Sequence, residues 1–242
     1  MEPIAISSSD NKIFKEFLKA RNDGKKEGVI FLEGEDLVKL ALDSGVLLKT
    51  AAYDSKNALP GIRNFVFSKD LLRKLSSYMS LPKIVGIASF RLGDHPVGDQ
   101  IVYLDGIQDP GNFGTIVRTA LAFSYKTVAF SNKTVSPYNF KAVAASKGAL
   151  LKVNLYPCSP EDLKKAGYKF VATTLHGKRV DGKVRLEGKF ALAVGNEGQG
   201  VSKELIAESD YDFYLPMNRE IDSLNAGVAA GIFMYLLNRK SE

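Results

Sequence analysis

The alternation of apolar and polar positions divides the second half of the chain into short strands and helices. Short apolar runs predict strands, at residues 101–104, 127–130, 169–173, 190–194 and 211–215. Helical spacing predicts helices at residues 113–123, 139–148, 160–166, 202–208 and 223–238. Apolar strands that alternate with helices indicate an α/β fold whose parallel sheet is covered on both faces. Ligands of such sheets bind in loops beyond the carboxyl ends of the strands.

The first part of the chain predicts a smaller α/β unit. Phe14, Phe17 and Leu18 lie at helical spacing, which predicts an amphipathic helix. The other elements expected here are a helix ending at Gly45, a helix at residues 68–77, a strand beginning at Val29 and strands at residues 47–53, 64–67 and 84–90. The turn-rich stretch from Arg91 to Asp99 separates this unit from the rest. We therefore expect an N-terminal domain at residues 1–92 and a second domain at residues 97–242.

The last predicted helix has no polar face. From Ala226 to Leu237 every residue is apolar or glycine. A helix that is apolar all round has to be buried. We expect the sheet to cover one side and a second subunit to cover the other, so the sequence predicts a homodimer; a deeply buried helix in a monomer is the alternative.

Composition narrows the classes of function. The net charge of +6 favours a polyanionic partner without identifying one. One cysteine, Cys158, and two histidines offer neither a disulfide nor the usual zinc ligand set, so no metal is expected. The sequence shows no apolar run long enough for a membrane span and no secretory pattern at its N-terminus, so we expect a cytoplasmic protein that does not interact with membranes.

Three loops that follow predicted strands carry the candidate chemistry. The first runs from Asp105 to Gly114 and opens a helix that contains Arg118; Asn112 is its candidate N-cap. Such a loop is either a capped glycine turn or an anion site at a helix N-terminus. It lacks the dinucleotide fingerprint and the P-loop pattern.

The second and third loops each contain a polar residue that a simple turn does not require. Gly195–Gly200 holds three glycines around Glu197, which is either a functional carboxylate or a solvated one. Leu215–Asn225 leads into the apolar helix, where Ser223 is a candidate N-cap. Asn225 needs hydrogen-bond partners if it is buried.

These loops, in this order, resemble the signature motifs of the SpoU (TrmH) family of the SPOUT methyltransferases. The matching segments are residues 112–120, 195–200, 215–217 and 223–225, with a further family-like segment at residues 144–149. The resemblance covers residues 99–240 and implies a parallel sheet with a trefoil knot and an obligate dimer. Residues 10–90 resemble the family's N-terminal substrate-binding module, which is similar to a ribosomal protein.

The resemblance implies an RNA 2′-O-ribose methyltransferase that uses S-adenosylmethionine. The cofactor would be held around Gly195, Leu215, Met217 and Leu224. The implied catalytic positions are Asn112, Arg118, Glu197, Ser223 and Asn225. Arg118 is either the base that the family is thought to use or a phosphate-binding group, which suits a guanidinium better. No metal is required.

RNA recognition is expected to depend on charge. Lysines and arginines concentrate near the N-terminus, and the candidate RNA-binding residues are Lys15, Lys19, Arg21 and Lys25, together with Arg219. A solvated helix surface is the alternative for the N-terminal group. Arg219 stands where the family usually has glycine, so the path of the third loop is open. Ala226–Gly227 replaces a more usual Val-Ser pair, which should only loosen helix packing.

Other functions stay open at this point. Ribosomal RNA is expected in preference to transfer RNA, because of the N-terminal module. A non-catalytic RNA-binding protein of the same fold, a base methyltransferase and a nucleotide-dependent oxidoreductase are the competing hypotheses. The five polar motif residues argue against the first, and the missing dinucleotide fingerprint argues against the last.

Overall fold

A computed structural model describes residues 3–76, 80–181, 183–218, 220–221 and 223–238. The chain divides into two compact units, one formed by Met1–Arg91 with Tyr138–Leu151, the other by Leu92–Pro137 with Lys152–Glu242. The segment from Tyr138 to Leu151 therefore belongs to the first unit, although residues of the second precede and follow it in sequence.

The helices and strands follow in chain order. The first part of the chain forms β1 (Ile4–Ile6), α1 (Lys12–Glu27), β2 (Val29–Glu33), α2 (Glu35–Asp43), β3 (Leu47–Ala52), β4 (Arg63–Phe67), α3 (Lys69–Leu75) and β5 (Ile84–Ser89). The rest forms β6 (Gln100–Asp105), α4 (Pro110–Ala122), β7 (Thr127–Phe130), α5 (Phe140–Ala145), β8 (Asn154–Pro157), α6 (Pro160–Lys165), β9 (Lys169–Arg179), β10 (Phe190–Gly195), α7 (Lys203–Ala207), β11 (Tyr211–Tyr214) and α8 (Ala226–Leu237).

The first unit is a mixed five-stranded sheet with the order β1-β4-β3-β5-β2. Phe14 and Phe17 of α1 are buried against Phe65 and Phe67 of β4, so the helical spacing seen in the sequence does mark the buried face. The core also receives Phe140 at the start of α5. Contacts of this kind join Tyr138–Leu151 to the first unit, as does the hydrogen bond from the Tyr138 hydroxyl to the Phe90 carbonyl.

The second unit is built on a six-stranded sheet with the order β11-β9-β10-β6-β7-β8. All its strand pairs are parallel, which confirms the predicted parallel sheet. Strand β8 was not expected, because its four residues include Asn154 and Pro157 and present no apolar run. Strand β9 continues to Arg179, well past its expected end at residue 173, although its later residues are polar.

Two predicted helix caps are wrong. The N-cap of α4 is Asp109, whose side chain accepts from the Asn112 amide at 2.8 Å, and not Asn112. Pro110 fixes this start, because its fixed φ suits the first helical position. The N-cap of α8 is Asn225, which accepts from the amides of Gly227 and Val228, and not Ser223.

Helix α8 is buried on one side only. Ala230, Phe233 and Met234 are at most 3% exposed, whereas Val228 is 51% and Tyr235 is 61% exposed. The expectation that the sheet covers one side of this helix holds, and its opposite face is open to solvent in the single chain. Among the described residues, no helix is long and apolar enough to cross a membrane.

Candidate active site

The first and second motif loops leave the sheet side by side. Strands β6 and β10 are parallel neighbours, and their last residues, Asp105 and Gly195, are paired. Asn196 donates its Nδ2 to the Gly106 carbonyl at 2.9 Å, and the Ser202 amide donates to Asp105 Oδ2 at 2.8 Å. These bonds hold the two loops together at the carboxyl edge of the sheet.

The second loop is a closed turn that requires glycine at its base. Asn196 and Gly200 exchange two backbone hydrogen bonds, of 2.9 and 2.8 Å. A Cβ on Gly195 would lie 1.9 Å from the Gly200 carbonyl carbon and from the Val201 nitrogen. Because those atoms are backbone, no rotamer change could relieve the clash. The turn thus presents Glu197 in a fixed position.

A chain of side-chain hydrogen bonds joins all three motif loops. Asn112 Nδ2 donates to Glu197 Oε1 at 2.9 Å, and Asn225 Nδ2 donates to Asn112 Oδ1 at 2.8 Å. A carboxylate that only accepts lies at one end, and backbone N–H groups of α8 that only donate lie at the other. Both asparagine amides therefore have a single orientation that satisfies the chain.

Glu197 also organises the loop before α4. Its Oε2 accepts from the Gln108 amide and its Oε1 from the Asp109 amide, both at 3.2 Å. Partial burial raises the pKa of Glu197, but hydrogen bonds from Asn112 and from backbone amides outweigh it and leave the pKa below its usual value. Glu197 is thus an ionised acceptor at neutral pH, placed beside the N-terminus of α4.

Arg118 and Ser223 are not part of this hydrogen-bonded chain. Both are exposed, and neither has a hydrogen bond or ion pair with another residue in the described part of the protein. Arg118 lies almost two turns after Asn112 on α4. Its guanidinium is therefore available for a ligand, whereas Asn112, Glu197 and Asn225 are engaged with one another.

The expected cofactor residues belong to the second and third motif loops. Gly195 is buried at the end of β10, while Leu215, Met217 and Leu224 are partly buried. Partly exposed apolar side chains, together with a glycine turn, are a suitable lining for the flat adenine ring of S-adenosylmethionine. The residues present therefore fit the group that the motifs imply.

The expected RNA-binding residues of the first unit already have partners in most cases. Lys15 pairs with Asp10 at 3.3 Å, and Lys19 pairs with Glu27. Arg21 donates Nε to the Leu75 carbonyl at 2.9 Å and its guanidinium lies over the Phe140 ring. Lys25 is exposed, and Arg219 lies outside the described residues.

Sequence reasoning missed three residues that position the loops. They are Asp105, Asp109 and Asn196, whose side chains accept hydrogen bonds from the backbone amides of Ser202, Asn112 and Gly198, respectively. The position of Asp105 at a strand end and of Asn196 between glycines was the available signal. Within the described residues, no group of three histidine, cysteine or acidic side chains could hold a metal ion.

The chain is similar to proteins that are named as RNA methyltransferases. RlmP of Bacillus subtilis, a 23S rRNA (guanosine(2553)-2′-O)-methyltransferase, is 29% identical over 96% of this chain and 98% of its own length. An uncharacterized tRNA/rRNA methyltransferase of Archaeoglobus fulgidus is 33% identical over 59% of this chain and 66% of its own. The AdoMet-bound rRNA methyltransferase structure from Sinorhizobium meliloti is similar over the whole of both chains, with 25% identity and a TM-score of 0.86.

The family model described as SpoU rRNA Methylase matches residues 99–235, a stretch that contains all three motif loops and the hydrogen-bonded chain between them. Since that stretch is more than half of the sequence, the protein belongs to the SpoU rRNA methylase family.

Proposed function

We propose that this protein transfers a methyl group from S-adenosylmethionine to a ribose 2′-hydroxyl of ribosomal RNA. The observation that carries the proposal is the chain Glu197–Asn112–Asn225, which draws three distant motif loops into one site. The RlmP relative, similar along nearly its whole length, is named for this reaction on ribosomal RNA.

The share of this chain that each similarity covers favours ribosomal RNA over transfer RNA as the substrate. The likeness to the two rRNA methyltransferases extends over both units. A solved structure named as a tRNA modifying enzyme, from A. aeolicus, covers only 60% of this chain, with 30% identity and a TM-score of 0.51. A first unit shared with enzymes named for ribosomal RNA is consistent with a role in binding that substrate, as its resemblance to a ribosomal protein also implies.

The residues of the site would position the substrate. The cofactor supplies an electrophilic methyl group on a sulfonium, and Gly195, Leu215, Met217 and Leu224 would hold it. Arg118 would bind a phosphate next to the target ribose, because a planar guanidinium forms paired hydrogen bonds to phosphate oxygens and keeps its proton at neutral pH. Asn112, Glu197 and Asn225 would hold α4, and therefore Arg118, at the correct place. Ser223, in the third loop, would take part in positioning the substrate.

The assembly that we propose is a homodimer formed through α8. Val228, Ile232 and Tyr235 form an exposed apolar face on this helix, and a second copy of the chain would cover it. We also propose that the chain forms the deep trefoil knot of the family, because the folds are similar. We expect the protein to act in the cytoplasm, where a substrate of this kind is found.

Methyl transfer from labelled S-adenosylmethionine to ribosomal RNA from cells lacking this protein tests the function. We expect incorporation at one 2′-O position, mapped by its resistance to alkaline cleavage. Arg118→Ala should lower kcat about 10²-fold or more, because substrate positioning is lost, while calorimetry shows unchanged cofactor binding. Arg118→Lys should restore little, since lysine lacks the planar fork.

Two outcomes would contradict these proposals separately. A wild-type protein that binds no S-adenosylmethionine and labels no RNA would exclude the enzyme and favour a non-catalytic RNA-binding role. An Arg118→Ala variant with wild-type kcat would leave the enzyme in place and remove Arg118 from its site.

A further inference from the structure

Exposed cations lie at the carboxyl end of β9 and just after it, next to the third motif loop. They are Lys178, Arg179 and Lys183, which we call the basic segment, and all three are exposed. Lys178 and Arg179 pair with the last two residues of β11, directly before Leu215. Neighbouring strands lie about 4.8 Å apart. The first two cations are thus one strand away from the chain that enters the candidate cofactor loop.

The backbone that carries these cations is anchored. Val180 is 3% exposed and Leu186 is 8% exposed, so buried apolar residues hold the chain directly after Arg179 and again beyond Lys183. The Val180 amide donates to the Tyr214 carbonyl at 3.0 Å. Before them, Gly177 lies so close to β11 that a Cβ would be 2.4 Å from the Asp212 carbonyl oxygen. The backbone of the segment is thus fixed at the carboxyl end of the strand, and its charged side chains are exposed to solvent.

The nearby carboxylate does not neutralise these charges. Asp181 accepts from the backbone amide of Lys183 at 2.9 Å and so closes a turn. Within the described ranges, Lys178, Arg179 and Lys183 form no ion pair, in contrast to the lysines of α1 at positions 15 and 19. Unpaired, exposed cations lose little on binding a phosphate, because no existing ion pair has to be broken.

We propose that the basic segment binds phosphates of the RNA strand that flanks the target ribose. This inference rests on the proposed function and adds a contact surface to it. Cations that neutralise backbone phosphates supply affinity and register without reading the bases. Two of them lie one strand away from the chain that enters the third motif loop. The segment therefore contributes to RNA affinity and leaves the chemical step unchanged.

The test reverses two charges of the segment. The variant Lys178→Glu/Arg179→Glu is compared with wild type by fluorescence anisotropy, with a labelled mixed-sequence single-stranded RNA as the probe. We expect affinity to fall at least about tenfold at low salt, and the slope of log affinity against log salt to flatten by about 1.4 for two lost contacts. With ribosomal RNA as methyl acceptor, KM should rise by a similar factor while kcat stays within about twofold.

A matched control uses the opposite edge of the same sheet. Lys169→Glu/Lys189→Glu changes the net charge equally, but both positions lie at the amino-terminal ends of β9 and β10. We expect this variant to behave nearly as wild type. Equal losses in both variants, or no loss in the segment variant, would overturn the proposal.

Calorimetry with S-adenosylmethionine and a melting curve accompany each variant. Unchanged cofactor affinity and Tm in the segment variant are expected, and a loss of either together with RNA affinity would overturn a specific role in RNA contact. If wild type itself neither binds the cofactor nor methylates RNA, the proposed function fails, whatever the variants do.

Discussion

At the scale of single residues, the site is organised by a hydrogen-bond acceptor, the carboxylate of Glu197. Glu197 accepts from two backbone amides and from Asn112, so its carboxylate fixes the start of α4. The sequence indicated that this glutamate is unusual among glycines. It could not indicate the bonds, because they join residues more than eighty positions apart.

The lowered pKa of Glu197 predicts a pH-dependent contribution to stability. A carboxyl group whose pKa is depressed by folding stabilises the native state above its unfolded pKa of about 4.3, and this contribution disappears as pH falls through the folded value. We therefore expect Glu197→Gln to lower Tm at pH 7, and the difference from wild type to shrink between about pH 5 and pH 3.

Thermal melts of both proteins across that range provide the measurement. Glu204→Gln, an exposed residue of α7, serves as the control and should follow wild type. A difference between Glu197→Gln and wild type that stayed constant with pH would contradict the ionised role of this carboxylate.

At the scale of elements, the sequence was most informative where an apolar pattern was long or strict. Strands β6, β7 and β10 lie where their patterns placed them, to within one residue at each end, and α1 contains the residues whose spacing predicted a helix. The polar end of β9 escaped notice because its pairing with β11 is set by the fold and not by an apolar run. The cap of α8 was misplaced because serine and asparagine both suit that role, and only contacts distinguish them.

The aromatic packing of α1 on β4 predicts a large cost for truncation. Phe17 is fully buried and meets the rings of Phe65 and Phe67 edge-to-face, at centroid distances of 6.4 and 5.2 Å. We expect Phe17→Ala to lower the free energy of unfolding by about 3–5 kcal/mol, measured by urea denaturation.

A control on the sheet that α1 covers separates the effect of burial from the effect of simply removing an apolar side chain. Leu48 of β3 is 46% exposed, and Leu48→Ala should cost less than about 1 kcal/mol. Similar costs at the two positions would show that α1 does not pack on the sheet in this way.

At the scale of the whole molecule, the two faces of α8 have different roles. Gly227 brings the helix against α4, where a Cβ would lie 3.0 Å from Thr115 Cγ2, and so keeps Asn225 near Asn112. The opposite face exposes apolar side chains. One helix therefore connects the geometry of the site to the surface that a second subunit would cover.

Charge on the exposed face should break the proposed homodimer. We expect Ile232→Glu to sediment as a monomer at micromolar concentration, since an unpaired carboxylate in an apolar interface is strongly unfavourable. Leu48→Glu, which also places a charge at an exposed apolar position, should leave the assembly unchanged. Wild type that is itself monomeric in sedimentation would refute the dimer.

The return of Tyr138–Leu151 to the first unit limits how this protein can be divided. Cutting the gene near codon 92 would leave that stretch attached to the catalytic half, with Phe140 stripped of the core it packs into. A fragment that starts there would carry an apolar segment without its packing partners, and it would be prone to aggregate. A shorter, soluble version of the enzyme would require that segment to be replaced, for example by a short polar linker between residues 137 and 152.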